Sequence, residues 1–323
     1  MKYRRFGKTG LEVSEIGYGA WGIGGKFWQG GTDEESHRAL RRAIELGINF
    51  IDTALVYGDG HSEKLVGKAV REAKHRVHVA TKIHPKNRLW PARPGIGIEE
   101  VFPTDYIIRS TEDSLRNLKL DTVDLQQLHV WNPEWLERDE WKRAFEELKT
   151  AGKVRAVGVS TNDHEPDSVL ELVRLGLIDA VQVIYNIFEQ SPARNLLPLA
   201  ARMNVGVVAR VPLDEGSLTG AIREDTVFDP KDFRSAYFRG DRKKQVVERV
   251  HALEADLAGA APGSLAETAL RFSIAPASVS AAIPGMRSVH NVERNVRVSG
   301  QEPLAPDVLE ILKRHAWDKN FYR

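Results

Sequence analysis

Short apolar runs alternate with amphipathic stretches along almost the whole chain. Glu15–Tyr18, Asn49–Asp52, Val77–Lys82, Val123–Leu128, Arg155–Ser160, Ala180–Tyr185, Gly206–Val211 and Val279–Pro284 each read as a buried strand, short, rich in Val and Ile, and bounded by Gly, Asp or Pro. Their character is continuously apolar rather than alternating, as expected of parallel strands covered on both faces. Helices fill the gaps. Thr32 and Glu35 have the spacing of a capping box, and Ala39, Leu40, Ala43 and Ile44 follow at helical intervals until Gly47. Ile108, Thr111, Leu115 and Leu118 mark a second apolar stripe, and Trp141, Phe145 and Leu148 a third.

Eight strands joined by crossovers close a (β/α)8 barrel, and the expectation is one α/β barrel domain over residues 1–323. An open doubly wound sheet would need a GxGxxG turn after its first strand, and Gly17, Gly19, Gly22, Gly24 and Gly25 do not keep that spacing. Tyr3–Val13 reads as a hairpin turning at Lys8-Thr9-Gly10 and suited to plug the barrel bottom. An extra helix is expected at the C-terminus. Leu218–Asp241 lengthens the gap before the last strand and carries Phe228, Phe233, Tyr237 and Phe238. Such an insertion reads equally as a substrate lid or as a surface helix on the rim.

Composition narrows the function classes. Lys+Arg 46 against Asp+Glu 45, with no block of like charge, speaks against nucleic-acid or membrane-surface binding and favours a small-molecule partner. The absence of cysteine removes disulfides, thiolate metal sites and Cys nucleophiles. No window approaches a spanning helix, and MKYRRFGKTG lacks a signal-peptide core, so the expected location is the cytoplasm.

Four residues fall at or just after strand C-terminal ends, where barrel enzymes carry their chemistry: Asp52, Tyr57, Lys82 and His129. Singly, each has a bland reading as a cap, a surface ring, a stabilising ion or a structural histidine. Together they suit carbonyl reduction, in which hydride addition leaves an alkoxide that needs a proton. Tyr57 is the expected acid, with Lys82 lowering its pKa, Asp52 keeping Lys82 charged and His129 polarising the substrate oxygen. The residues also leave open a Schiff-base aldolase using Lys82, although Asp52 would hold that lysine charged. A metal-dependent hydrolase lacks an HxH pair, and no metal is expected. His61, His84, His164 and His290 fall in loops or helix starts.

The runs DTALVYGDGHSEKLVGKAV, ATKI, LQQLH, GVS, VQVIYN and IPGMRSVHNVERN resemble those of the aldo-keto reductases, from Gly17 to Asn295. The IPG close most resembles the bacterial and plant NADPH-dependent branch. The resemblance implies NADPH/NADP bound extended across the barrel mouth. It places Gly19, Ala20 and Trp21 near the middle of the cofactor, with Asp52 close by, and Ser160, Thr161 and Gln182 on the carboxamide. Leu213, Gly216, Ser217 and Leu218 fall along the pyrophosphate, and Gly285, Arg287, Asn291 and Asn295 in the adenosine-phosphate clamp. Arg287 suits the 2′-phosphate, which NAD lacks.

Three positions depart from the family pattern: Thr161 for the usual Asn, Arg294 for the usual Glu, and Arg210 for the usual aromatic ring on the nicotinamide. Arg210 is expected to tune the cofactor or to hold an anionic substrate group. Trp28, Trp90 and Trp131 are candidate walls of a carbonyl pocket, and Trp131 and Trp135 fit loop packing equally. A monomer or weak homo-oligomer is expected. A second reading is a redox-sensing regulatory subunit, because channel β-subunits resemble the same family.

Overall fold

The computed structural model describes residues 1–26, 28–260 and 263–323. Its first two strands, β1 (Tyr3–Arg5) and β2 (Glu12–Ser14), pair antiparallel around a tight turn at Gly7–Thr9. Gly10 follows the turn at φ 76°, a left-handed conformation that glycine adopts without penalty. The hairpin does plug the barrel bottom. Phe6 packs 5.5 Å from Phe50, ring to ring, and Phe6 and Val13 join a buried cluster with Ala80, Leu125, Ala156, Ala180, Val208 and Ala281.

Eight parallel strands follow: β3 (Tyr18–Gly19), β4 (Phe50–Asp52), β5 (His78–Ile83), β6 (Val123–Leu128), β7 (Val154–Ser160), β8 (Ala180–Ile184), β9 (Gly206–Arg210) and β10 (Val279–Ala282). Each pairs with the next in sequence, from β3 to β10. Parallel bridges from Ile16 to Ala282 and from Gly19 to Gly285 join the two ends and close the barrel. The first barrel strand therefore begins later than the apolar run suggests. Glu15 is spent instead on an ion pair with Arg4 at 2.8 Å, which ties the hairpin to the barrel base.

Helices cover the outside, as their periodicity predicts. Asp33–Glu45 buries Ala39, Leu40, Ala43 and Ile44. Thr32 accepts from the Glu35 amide at 3.2 Å, which forms only half of the expected box, whereas Ser264 and Glu267 make a complete one at Leu265–Ile274. The helix Thr104–Leu118 is rotated from the expected stripe. It buries Ile107, Ser110, Thr111, Ser114 and Leu118 and leaves Ile108 and Leu115 at the margin. Small residues serve there because the neighbouring helix approaches closely: a Cβ on Gly67 would meet the Leu118 carbonyl at 2.1 Å. Trp141, Phe145 and Leu148 are buried as expected, and the extra C-terminal helix is Pro306–Lys313. Among the described residues, no helix is long and apolar enough to cross a membrane.

Candidate active site

Barrel geometry places the polar residues by counting in twos. On a strand, alternate side chains share a face. Phe50, Ala80, Leu125, Ala180 and Val208 form the apolar floor of the interior. Two residues further along the same strands come Asp52, Lys82, Gln127, Gln182 and Arg210, which share the inward face one step nearer the C-terminal mouth. The interior is thus apolar below and polar above.

Lys82 is fully buried, and its ammonium donates to Asp52 Oδ1 at 2.6 Å and to the Thr53 carbonyl at 2.7 Å. Asp52 Oδ2 accepts from Gln182 Nε2 at 2.8 Å. Burial alone would favour a neutral amine, but Asp52 and then Tyr57 outweigh it and hold the lysine pKa above its ordinary value. Lys82 is therefore a cation with no spare lone pair, which is the wrong state for a Schiff-base nucleophile.

Tyr57 reaches this pair from the loop after β4, its Oη 3.4 Å from Lys82 Nζ. Two tight turns shape the loop, with the Tyr57 amide on Ala54 O at 3.0 Å and the Gly60 amide on Leu55 O at 2.7 Å. Gly58 stands at φ 66°, and a Cβ there would lie 2.1 Å from the Gly24 carbonyl oxygen. This close approach brings Trp21 beside the tyrosine, with ring centroids 6.2 Å apart.

The balance on Tyr57 differs from the sequence expectation. Lys82 does pull its pKa down, but burial raises it more, and the net shift is upward from 10.0. Lys82 offsets the cost of burying the phenol rather than turning it into a strong acid. His129, at the end of β6, faces Tyr57 with rings 5.9 Å apart. Burial, followed by the charges of Lys82 and Arg210, drives its pKa well below 6.5, so the imidazole is neutral at pH 7. Its Nδ1 is buried without a partner among the described residues.

These groups open into a cleft of about 680 Å³ across the barrel mouth. Of the residues assigned to a cofactor, Gly19, Trp21, Asp52, Gln182, Arg210, Leu213, Gly216, Gly285, Arg287, Asn291 and Asn295 line it. Ala20, Ser160, Thr161, Ser217 and Leu218 are buried and do not line it. Arg294 lines it as well. Arg287 pairs with no carboxylate among the described residues and donates only to the Gln29 carbonyl at 2.6 Å. A Cβ on Gly285 would meet nothing within 4 Å, so that wall is open backbone.

Aromatic side chains form the rest of the enclosure. Trp90 packs edge-on against His129 at 4.5 Å, and Asn162 anchors its loop through both Ala92 backbone groups. The 218–241 insertion does reach the cleft: Phe233 lies 4.9 Å from Trp21, and the Arg234 guanidinium 4.6 Å above Trp28. Trp131 and Trp135, each 1% exposed, are packing residues and do not line it.

Sequence reasoning missed the C-terminal tail and three acids. Lys319 forms a buried ion pair with Asp214 at 2.7 Å, and Tyr322 Oη donates to Glu215 Oε1 at 2.6 Å. These contacts pin the 213–219 loop, whose Asp214 and Glu215 have positive φ. Asp163 holds Arg210 through Oδ1 at 2.8 Å. None of these residues has a periodic or motif signal. A lysine among aromatics in WDKNFYR was the only hint.

Known proteins show the same pattern. The sequence model of the aldo/keto reductase family matches residues 15–316. The aldo-keto reductase YhdN of Bacillus subtilis is 34% identical over 93% of this chain and 89% of its own length. The NADH-specific methylglyoxal reductase of Escherichia coli is 30% identical over 77% of this chain and 78% of its own. Among solved structures, the glycerol dehydrogenase of Gluconobacter oxydans superposes with a TM-score of 0.79 at 30% identity, covering 98% of this chain and 97% of the other. A holo-form aldo-keto reductase of Bacillus halodurans gives 0.77 at 28% identity, covering 98% and 96%. With the family model spanning nearly the whole chain and the barrel shared throughout, this protein belongs to the aldo/keto reductase family of oxidoreductases.

Proposed function

We propose that this protein reduces a small aldehyde or ketone to an alcohol with NADPH, Tyr57 delivering the proton. The observation that carries the reading is the phenol of Tyr57, placed at the cleft between a buried ammonium 3.4 Å away and a neutral imidazole. When bound, a reduced nicotinamide supplies the hydride. Tyr57 Oη is the donor to the alkoxide that forms. Lys82, held charged by Asp52, favours the transient phenolate that remains. Neutral His129 donates a hydrogen bond to the same oxygen and steadies its developing charge. Trp21, Trp90 and Phe233 exclude water and favour an apolar substituent on the carbonyl.

The choice of NADPH rests on Arg287, a guanidinium without a carboxylate partner at the end of the cleft. The E. coli relative named for NADH makes this choice a matter for measurement. Gln182, engaged with Asp52 through its amide nitrogen, keeps its oxygen for a carboxamide. Gly216 and Leu213 lie along the pyrophosphate path in this reading.

The test is a panel of aldehydes and ketones followed by NADPH absorbance, with Tyr57→Phe beside the parent. Loss of turnover in the variant, on the order of a hundredfold or more, supports the assignment. Undiminished turnover refutes it. Tight nucleotide binding with no turnover of any carbonyl favours a regulatory subunit instead.

A further inference from the structure

The inner wall of the cleft carries a guanidinium that proton delivery does not require. Arg210 ends β9 and lines the cleft with Tyr57, His129 and Gln182. Its Nη2 donates to Asp163 Oδ1 at 2.8 Å and to the Thr161 carbonyl at 3.1 Å, whereas Nε is buried without a partner among the described residues. The pair is largely sheltered from water, its side chains 15% and 9% exposed. A charge so placed is weakly screened, and its effect on a neighbouring charge is large.

The two charges also differ in the neighbours they act on. The positive charge of Arg210 bears on Tyr57 and His129, on the side where hydride would be exchanged. Beside the C-terminal tail, the negative charge of Asp163 bears on Tyr237, and on Glu215 and Tyr322 it is opposed by Arg210 itself. Glu215 and Tyr322 also face Arg210.

A nicotinamide ring carries a positive charge when oxidised and none when reduced. A guanidinium facing it therefore disfavours the oxidised form alone, and a carboxylate behind the guanidinium moderates that effect. We propose that the Arg210–Asp163 pair sets the preference of this cleft for reduced over oxidised cofactor, Arg210 opposing the cationic ring and Asp163 limiting that opposition. The inference rests on reading the cleft as a nicotinamide site. Tighter binding of the reduced form raises the reduction potential of the bound couple and hastens loss of the oxidised product, which biases the enzyme toward reduction. An aromatic ring at position 210 would stack on either form and could not discriminate by charge.

The experiment measures dissociation constants of NADPH and NADP+ by fluorescence or calorimetry, for the parent, Asp163→Asn, Arg210→Met and Arg210→Lys. The readout is the ratio of the oxidised to the reduced constant. Asp163→Asn should raise that ratio by roughly tenfold, and Arg210→Met should lower it by roughly as much, the factor that about 1.4 kcal/mol supplies. Arg210→Lys, which keeps the charge, should stay within a few fold of the parent. General damage to the cleft weakens both nucleotides alike and leaves the ratio still, so shifts of opposite sign are diagnostic. If both nucleotides bind and the ratio is unmoved in both variants, or moves the same way in both, the inference falls alone. If the parent binds neither nucleotide, the cofactor reading falls and this inference with it.

Discussion

Lys82 lies 2.6 Å from Asp52 and 3.4 Å from Tyr57, so the carboxylate, not the phenol, is its principal partner. The buried cation is made tolerable by Asp52, and Tyr57 receives what remains of its influence. Removing the carboxylate should therefore harm more than the reaction. Asp52→Asn leaves the ammonium uncompensated in the barrel interior, where a broken buried pair typically costs about 3–5 kcal/mol. The variant should unfold at clearly lower urea concentration and lose reductase activity, as equilibrium denaturation and a carbonyl assay will report. Retention of parental stability would show that Lys82 is neutral in the variant.

The pH profile of reduction follows from the two rings. Tyr57 is raised above 10.0, so its phenol keeps its proton through the whole neutral range and loses it only in strong alkali. His129 is lowered well below 6.5, so the neutral imidazole persists as pH falls through 6. The dependence of kcat/KM on pH in the direction of carbonyl reduction should be a broad plateau across pH 6 to 9. An acid limb near 6.5 would mean that His129 titrates normally.

Glu215 links stability to pH in the opposite sense to most carboxylates. Burial raises its pKa from 4.5 to about 7 in the folded protein. Between those values the folded state holds a proton that the unfolded state has lost, so stability declines as pH rises from 4.5 to 7. The span corresponds to at most about 3 kcal/mol from this one group. Glu215→Gln should flatten that slope in urea titrations at several pH values, and an unaltered slope would assign it elsewhere.

The tail should matter to the 213–219 loop as much as to the fold. Lys319→Met leaves Asp214 buried without its cation and should cost about 3–5 kcal/mol. Amide exchange in the 213–219 loop should rise more than in the strands. A uniform increase throughout the barrel would mean that the tail supports the whole molecule rather than this loop.

The proposed preference for NADPH is tested at Arg287. Arg287→Ala should weaken NADPH binding by about tenfold to a hundredfold and leave NADH almost unchanged, because only the former carries the 2′-phosphate. Equal weakening of both in a fluorescence titration would place the guanidinium elsewhere on the nucleotide.

The sequence by itself determined the strand order, the buried faces of helices Asp33–Glu45 and Asp139–Thr150, and the positions of Asp52, Tyr57, Lys82 and His129. Those follow from periodicities of two and 3.6 and from residues at strand ends, which are local properties of the chain. The Phe6 hairpin was legible for the same reason. What the tertiary structure decided is every relationship between elements distant in sequence. Asp163 meets Arg210, Lys319 meets Asp214 and Tyr322 meets Glu215 across separations of 47, 105 and 107 residues. Helix Thr104–Leu118 turned its serines inward because a glycine across the interface allowed close approach. The acidity of Tyr57 was likewise out of reach of the sequence. Lys82 nearby could be anticipated, but the sign of the net shift depends on how completely the phenol is buried, and only the closed barrel sets that.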